Sequence, residues 1–345
     1  MTLPTQLRAR PICLGLAVAV TLALLTTACG KSSAAQVAEV IVYSARHYGG
    51  EPAFEAFTKK TGIAIRAFNG NSAELFERLR AEGDRTPADL LIAVDAGNLW
   101  NAARAGLLAP VDSAVLRANI PAHLRDGESR WFGLTVRART IMHSVKRIKP
   151  SELSTYESLG DPRWKARLCL RPSNYIYTQS FLAALIKRHG EARTEEIVRG
   201  WVANHPVLIN SDTKLLEAVA AGQCDVTIAN HYYLARLLVK DPTFPVAPFW
   251  ANQKTTGTHV NISGAGVTAH AKRRDAAIGL LEFLSSPEAQ NLFADSGQEY
   301  PVNPRVAPAP LIAQWGEFRA DDINVAAAGE LQAAATRLAD RVGYK

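Results

Sequence analysis

Tyrosines gathered at chain corners are the residues of this sequence best suited to do chemistry. In Cys224-Asp225-Val226-Thr227-Ile228-Ala229-Asn230-His231-Tyr232-Tyr233, the apolar run 226–229 reads as a short buried strand. It breaks at Asn230 and passes into a helix carrying Leu234, Leu237 and Leu238. Asn230 is the expected N-cap, its side-chain oxygen accepting an orphan N–H of the first turn. Tyr232 and Tyr233 then sit on the first helical turn at the carboxyl end of a strand, where open α/β sheets bind ligands. A Tyr-Tyr pair by itself is more often a core or rim aromatic. Two further corners repeat the arrangement, however. Ser44-Ala45-Arg46-His47-Tyr48-Gly49-Gly50 follows a strand and precedes a helix, and so does Tyr175-Ile176-Tyr177-Thr178-Gln179-Ser180. Phenolates are hard, anionic oxygen donors that suit a hard trivalent cation better than Zn2+ or Cu+, which prefer imidazole and thiolate. A phenol ionises only near pH 10, so ligation at neutrality needs the charge of the metal itself.

The elements that must hold these corners alternate along the chain. Residues 40–43, 63–68 and 89–94 read as strands. Helices at 52–60, 72–82 (capped by Ser72) and 96–105 lie between and after them. This βαβαβ order argues for a mostly parallel sheet with covering helices. The stretch 131–143 is strand-rich but less regular and reads as a passage between domains. A second series follows, with strands at 168–170, 207–209 and 226–229 and helices at 178–189 and 213–221. A Gly-punctuated strand at 260–267 and a helix at 276–284 return the chain. The reading is two α/β bodies joined by two extended crossings, a hinged clamshell with its ligand in the cleft. Two-residue periodicity turns Tyr43 away from the first corner, as a core aromatic.

Arg8, Arg10 and the apolar run 12–25, followed by small residues, form a signal peptide too short to span a bilayer. Leu24-Leu25-Thr26-Thr27-Ala28-Cys29-Gly30 resembles a bacterial lipobox in which Cys29 would be acylated, although Thr26 stands where an aliphatic residue is usual. Cleavage after Ala34 or Ala35 also satisfies the small-residue rule. About 310 residues remain, enough for two domains. The net charge of +7 is spread over scattered lysines and arginines without interleaved aromatics, which argues against nucleic acid as a partner. Of the four cysteines, Cys13 leaves with the signal and Cys29 is the candidate lipid site. Cys169 and Cys224 remain. In an oxidising compartment they favour a disulfide over a metal site, with two buried free thiols as the alternative.

Several stretches carry a family resemblance. They are Val42-Tyr43-Ser44-Ala45-Arg46-His47-Tyr48, Thr86-Pro87-Ala88-Asp89, Val94-Asp95-Ala96-Gly97-Asn98-Leu99-Trp100, Pro150-Ser151-Glu152-Leu153-Ser154-Thr155-Tyr156, Asn230-His231-Tyr232-Tyr233, His259-Val260-Asn261-Ile262-Ser263-Gly264-Ala265-Gly266-Val267 and Glu299-Tyr300-Pro301-Val302-Asn303-Pro304. Together they resemble the ferric-ion-binding proteins of bacterial iron ABC transporters. These are class II periplasmic binding proteins with the transferrin-lobe fold, and the likeness is greatest to the branch using several tyrosines and a histidine. The resemblance implies Fe3+ as cargo, an inner-membrane ABC permease as partner, and a monomer in the periplasm, where the lipobox-like motif would give it one link to the membrane, a lipid at Cys29. It implies His47, Tyr48, Tyr177, Tyr232 and Tyr233 as ligands, Tyr177 taking the ligand place in the second corner with Tyr175 an extra phenol beside it. Arg46 and Arg137 would offset phenolate charge, although each alone reads as a surface or structural arginine. The expected lobes are 38–136 with 262–305 and 137–261 with 306–345, after a 1–29 signal and a 30–37 linker. A binding protein for an organic cation or oxyanion is the alternative within this architecture. An exported hydrolase is the alternative outside it, but the chain has no GxSxG, HExxH or P-loop motif.

Overall fold

Runs of β-branched and aromatic residues bounded by Gly, Pro and Asn set the strands. In the computed structural model, which describes residues 39–46 and 51–345, the eight expected strands lie close to their expected positions, and two short ones not expected are added. The signal segment, Cys29, the 30–37 linker, His47 and Tyr48 lie outside the described residues. In chain order the elements are β1 (Glu39–Ser44), α1 (Glu51–Thr61), β2 (Ala64–Asn69), α2 (Ser72–Glu82), β3 (Leu90–Ala93), α3 (Ala96–Arg104), α4 (Ala114–Asn119) and β4 (Phe132–Ser144). Next come β5 (Leu168–Leu170), α5 (Ile176–His189), α6 (Glu191–Ala203), β6 (Val207–Leu208), α7 (Asp212–Ala221), β7 (Val226–Asn230), α8 (His231–Lys240) and β8 (Val246–Phe249). The last are β9 (Val260–Val267), α9 (Arg274–Leu284), α10 (Pro287–Gly297), β10 (Tyr300–Pro301), α11 (Pro310–Ala313), α12 (Ala327–Glu330) and α13 (Gln332–Arg341). Among the described residues no helix is long and apolar enough to cross a membrane.

The strands form an open mixed sheet in the order β2-β1-β3-β9-β4-β7-β5-β6, with β8 and β10 also paired to β4. β2, β1 and β3 run parallel, as do β7, β5 and β6. The antiparallel pair β9 and β4 joins the two sets. β4 is one strand of 13 residues, more regular than its sequence suggests. Its first half pairs with β9 and β10, its second with β7 and β8. Gly264 permits the close β9–β4 approach, because a Cβ there would lie 2.5 Å from the Phe132 carbonyl oxygen.

The apolar core divides at the middle of β4. One cluster gathers Val40, Tyr43, Leu90, Leu99, Trp131 and Leu280, and a second gathers Ile141, Trp164, Leu182, Trp201 and Leu338. Burying each such side chain contributes about 1.5–3 kcal/mol. Between the clusters β4 carries Thr135, Arg137 and Arg139 on one face, all buried. α12 lies against both α3 and α5 across this divide. Cys169 on β5 and Cys224 ahead of β7 form a disulfide, their Cα atoms 5.8 Å apart. One expected cap moves by a residue: Asn71, not Ser72, caps α2, its Oδ1 accepting from the Glu74 amide at 2.9 Å while the Glu74 carboxylate accepts from the Asn71 amide. That reciprocal pair is a capping box, which satisfies two donors where a lone Ser would satisfy one.

Candidate metal centre

Strand ends place the described phenols. β5 ends at Leu170, and Tyr175 holds the N-cap position of α5, so Tyr177 falls in the first turn. The chain's C-terminus pins this corner from beneath. The Ser173 amide donates to the Lys345 carbonyl oxygen at 3.1 Å, and the Tyr344 hydroxyl donates to the Arg171 carbonyl oxygen at 2.6 Å. β7 passes directly into α8, which puts Tyr232 and Tyr233 on the first helical turn as expected. Asn230 has the N-cap backbone, but its side chain makes no cap bond. Instead its Oδ1 accepts from Arg139 Nη1 at 3.3 Å and its Nδ2 donates to the Tyr232 hydroxyl oxygen at 3.3 Å. A buried guanidinium and a phenol outcompete the helix amides for it.

Arg137 draws two corners together. Its Nη1 donates to the Tyr177 hydroxyl oxygen at 3.0 Å, and its Cζ lies 5.2 Å from the Tyr177 ring and 5.6 Å from the Tyr232 ring. The Tyr232 and Tyr233 rings are 4.3 Å apart, and Tyr175 meets Tyr177 edge-on at 4.8 Å. Tyr232 is fully buried, Tyr177 nearly so, and Tyr175 and Tyr233 are partly exposed. Tyr175, Tyr177 and Tyr233 line a cavity of about 450 Å³ whose opposite wall includes Ala45, Ser72, Val94 and Asn98 from the first half of the chain. Two larger hollows, of about 550 and 620 Å³, have no tyrosine in their linings.

Buried charge surrounds the phenols. Arg46 and Arg137, which read from sequence as surface or structural arginines, are both buried beside the corners. They share Glu299: Arg46 Nη1 lies 2.7 Å and Arg137 Nε 3.8 Å from its carboxylate oxygens. Burial works against the Glu299 charge, but the two guanidiniums and the Thr135 hydroxyl prevail and hold its pKa down at about 2. A second hub lies under the Tyr175 corner. Asp212 pairs with Arg139 and Arg171, and the Arg171 guanidinium carbon sits 3.5 Å from the Tyr175 ring centroid. Tyr175 is therefore engaged by an arginine as well as by Tyr177. Sequence reading missed Glu299, Asp212 and Arg139. The signal for the arginines is the alternation Thr135-x-Arg137-x-Arg139 between the apolar residues of the strand.

This set of donors can hold a hard cation. Among the described residues no group of three or more His, Cys, Asp or Glu could hold a metal ion. The phenols of Tyr177, Tyr232 and Tyr233 are the candidate donors, and a guanidinium donating to a phenol oxygen, as Arg137 does to Tyr177, suits that oxygen in anionic form. His47 and Tyr48, the other expected ligands, follow Arg46 in sequence and lie outside the described residues.

The model of a family described as bacterial extracellular solute-binding protein matches residues 85–314. Iron uptake protein A1 of Synechocystis sp. is 40% identical over 338 residues, covering 93% of each chain. A Trichodesmium FutA structure in complex with iron and citrate ligands is 43% identical, with a TM-score of 0.86 over 89% of this chain and 100% of that one. A ferric binding protein from Campylobacter jejuni is 33% identical, with a TM-score of 0.82 over 89% of this chain and 100% of that one. The chain belongs to the bacterial extracellular solute-binding proteins, with the class II clamshell fold of the ferric-ion-binding branch.

Proposed function

We propose that this protein captures Fe3+ in the cleft through the phenolate oxygens of Tyr48, Tyr177, Tyr232 and Tyr233 and the imidazole of His47. It then hands the ion to the inner-membrane permease of an ABC-type iron uptake system. Its role is binding and transport rather than catalysis. The observation that carries the reading is Arg137, which donates to the Tyr177 hydroxyl oxygen and lies against the Tyr232 ring, while Tyr177 lines a cavity with Tyr175 and Tyr233. The lobes are 38–136 with 262–305 and 137–261 with 306–345, limits supported by the division of the core in β4. Val325, Ala326 and Ala328 depart from them by packing with the first core. Ligands from both lobes make metal capture and closure one equilibrium, since only the closed form offers the full set. The chain acts as an exported monomer in the periplasm, tethered by lipid at Cys29. Phenols rather than carboxylates or amide nests line the cleft, which favours a metal over an organic cation or oxyanion. The test is colour. Titrating the iron-free protein with ferric nitrilotriacetate should raise a red to orange phenolate-to-metal absorption that saturates at one ion per chain, and a protein that stays colourless sinks the reading.

A further inference from the structure

Glu299 lies in the short corner between α10, which ends at Gly297, and β10. β10 pairs with β4 through Tyr300↔Val136 and Pro301↔Thr135, which brings Glu299 alongside the polar face of β4. Its side chain is wholly buried. Thr135 donates its hydroxyl to Glu299 Oε2, and Arg46 Nη1 meets the same oxygen at 2.7 Å. Oε1 faces Arg137 Nε at 3.8 Å. The two arginines serve different corners. Arg46 immediately precedes His47 and Tyr48, and Arg137 donates to the Tyr177 hydroxyl oxygen.

The surroundings keep both guanidiniums in single positions. Arg46 is flanked by the Phe293 ring at 5.0 Å and also donates to Ser263 and Thr135. A Cβ on Gly297 would sit 2.7 Å from Arg46 Nη2, so the glycine leaves the space that the guanidinium fills. Arg137 donates from Nη2 to the Val94 carbonyl oxygen and to Ser263. Two buried like charges repel, and each needs a counter-charge to stay in a dry site. Glu299 is the one carboxylate with an ion pair to both among the described residues.

We infer that Glu299 is a positioning residue for metal capture: it holds Arg137 where that guanidinium donates to the Tyr177 oxygen, and it offsets the neighbouring buried charge of Arg46. The inference rests on the Fe3+ reading. A hydrogen bond to a phenolate oxygen withdraws electron density and raises the energy of phenolate-to-Fe3+ charge transfer. Glu299 therefore acts on the colour of the loaded protein through Arg137, without touching the ion.

The test uses the full mature chain loaded with ferric nitrilotriacetate. Glu299→Gln, nearly isosteric and uncharged, should move the visible band to longer wavelength. It should also speed iron loss to a competing chelator by roughly tenfold or more, the scale of one charge-assisted hydrogen bond. In a Tyr177→Phe background the same substitution should leave the band position unchanged, because the affected phenolate is gone. Glu299→Asp keeps the charge on a shorter stem, and its band should lie between those of wild type and Glu299→Gln; it carries the test alone if Glu299→Gln does not fold. A coloured wild type whose band and release rate are the same in the folded Glu299 variants overturns the inference and spares the Fe3+ reading. An equal shift with and without Tyr177 overturns it too, since the effect would then be general. A colourless wild type overturns both.

Discussion

Tyr232 and Tyr43 are both fully buried, yet they answer to different neighbours. Tyr232 lies against the guanidiniums of Arg137 and Arg236 at 5.6 and 5.0 Å, and accepts from Asn230. Tyr43 donates to the Glu82 carboxylate at 2.8 and 2.9 Å; burial first, and that carboxylate second, push its pKa up to about 12. Replacing Tyr232 and Tyr233 together by Phe should cost about 1 kcal/mol of stability, since Asn230 loses a weak acceptor. It should abolish the ferric colour, because two anionic donors vanish at once. Tyr43→Phe should cost a comparable 1–2 kcal/mol or so and leave the colour unchanged. Thermal melts of the iron-free proteins beside ferric titrations separate the two cases; retained colour in the double variant would show that the Tyr-Tyr corner is not the site. The core place of Tyr43 was legible from strand periodicity, and the position of Tyr232 on the first turn of α8 from the strand-to-helix pattern. Glu299 was not. One carboxylate in a loop has no periodic pattern, and its meaning comes from two arginines 253 and 162 residues away in the chain. The Asn230 cap failed for a related reason, because propensity knows nothing of a guanidinium delivered by another strand.

At the scale of elements, the two corners of the second half rest on neighbouring parallel strands, β5 and β7, paired at Leu168↔Val226 and Cys169↔Thr227. The Cys169–Cys224 disulfide spans 55 residues of sequence beside that pairing. Closing a loop of this length restricts the unfolded chain by about 4 kcal/mol in the chain-entropy model. Replacing both cysteines by Ala should therefore lower the urea midpoint substantially. The strand pairing keeps the corners in place, so ferric affinity should fall much less than stability does. A double variant as stable as the wild type in urea would remove the disulfide from the energetics. Most element bounds followed from the sequence because caps and apolar spacing agree: β9 matches its expected limits, and α7 stops where Gly222 takes a left-handed conformation. α4, α6, β8, α10, β10 and the three helices α11 to α13 went unread. α6 carries its signal in Thr194, Ile197, Val198 and Trp201, the buried stripe of an otherwise charged helix. β8 is half-buried and contains Pro248, which lowers any strand expectation.

Across the whole molecule the buried titratable groups set opposing pH dependences. Burial keeps His231 and His259 neutral, lowering their pKa values to about 4 and about 3, so the unfolded chain takes up protons near pH 6.5 that the folded chain refuses. Stability supplied by these groups is present above pH 6.5 and lost as pH falls, by on the order of 2 kcal/mol each at pH 4.5. Asp95 works the other way. Buried at the N-cap of α3, it accepts from the Ser180 hydroxyl of α5, the Asn261 amide of β9 and the Gly97 amide, and faces Arg137; burial nonetheless dominates and raises its pKa to about 6. Its ionised form is disfavoured above pH 6, and the folded state recovers on the order of 2 kcal/mol as pH falls toward 4. Glu299 stays ionised through this window and contributes no slope until pH falls below its unfolded value of 4.5. The iron-free protein should therefore lose stability from pH 7 to 4.5, with Asp95 partly offsetting the histidines. Asp95→Asn removes the offset, so its stability should fall more steeply than wild type over that interval, whatever its absolute value at pH 7. Urea unfolding of both proteins at pH 7.0, 5.5 and 4.5 measures the two slopes. Equal slopes would mean that Asp95 does not titrate in this window and that its carboxylate is ionised throughout, held by Ser180, Asn261 and Arg137 against the cost of burial.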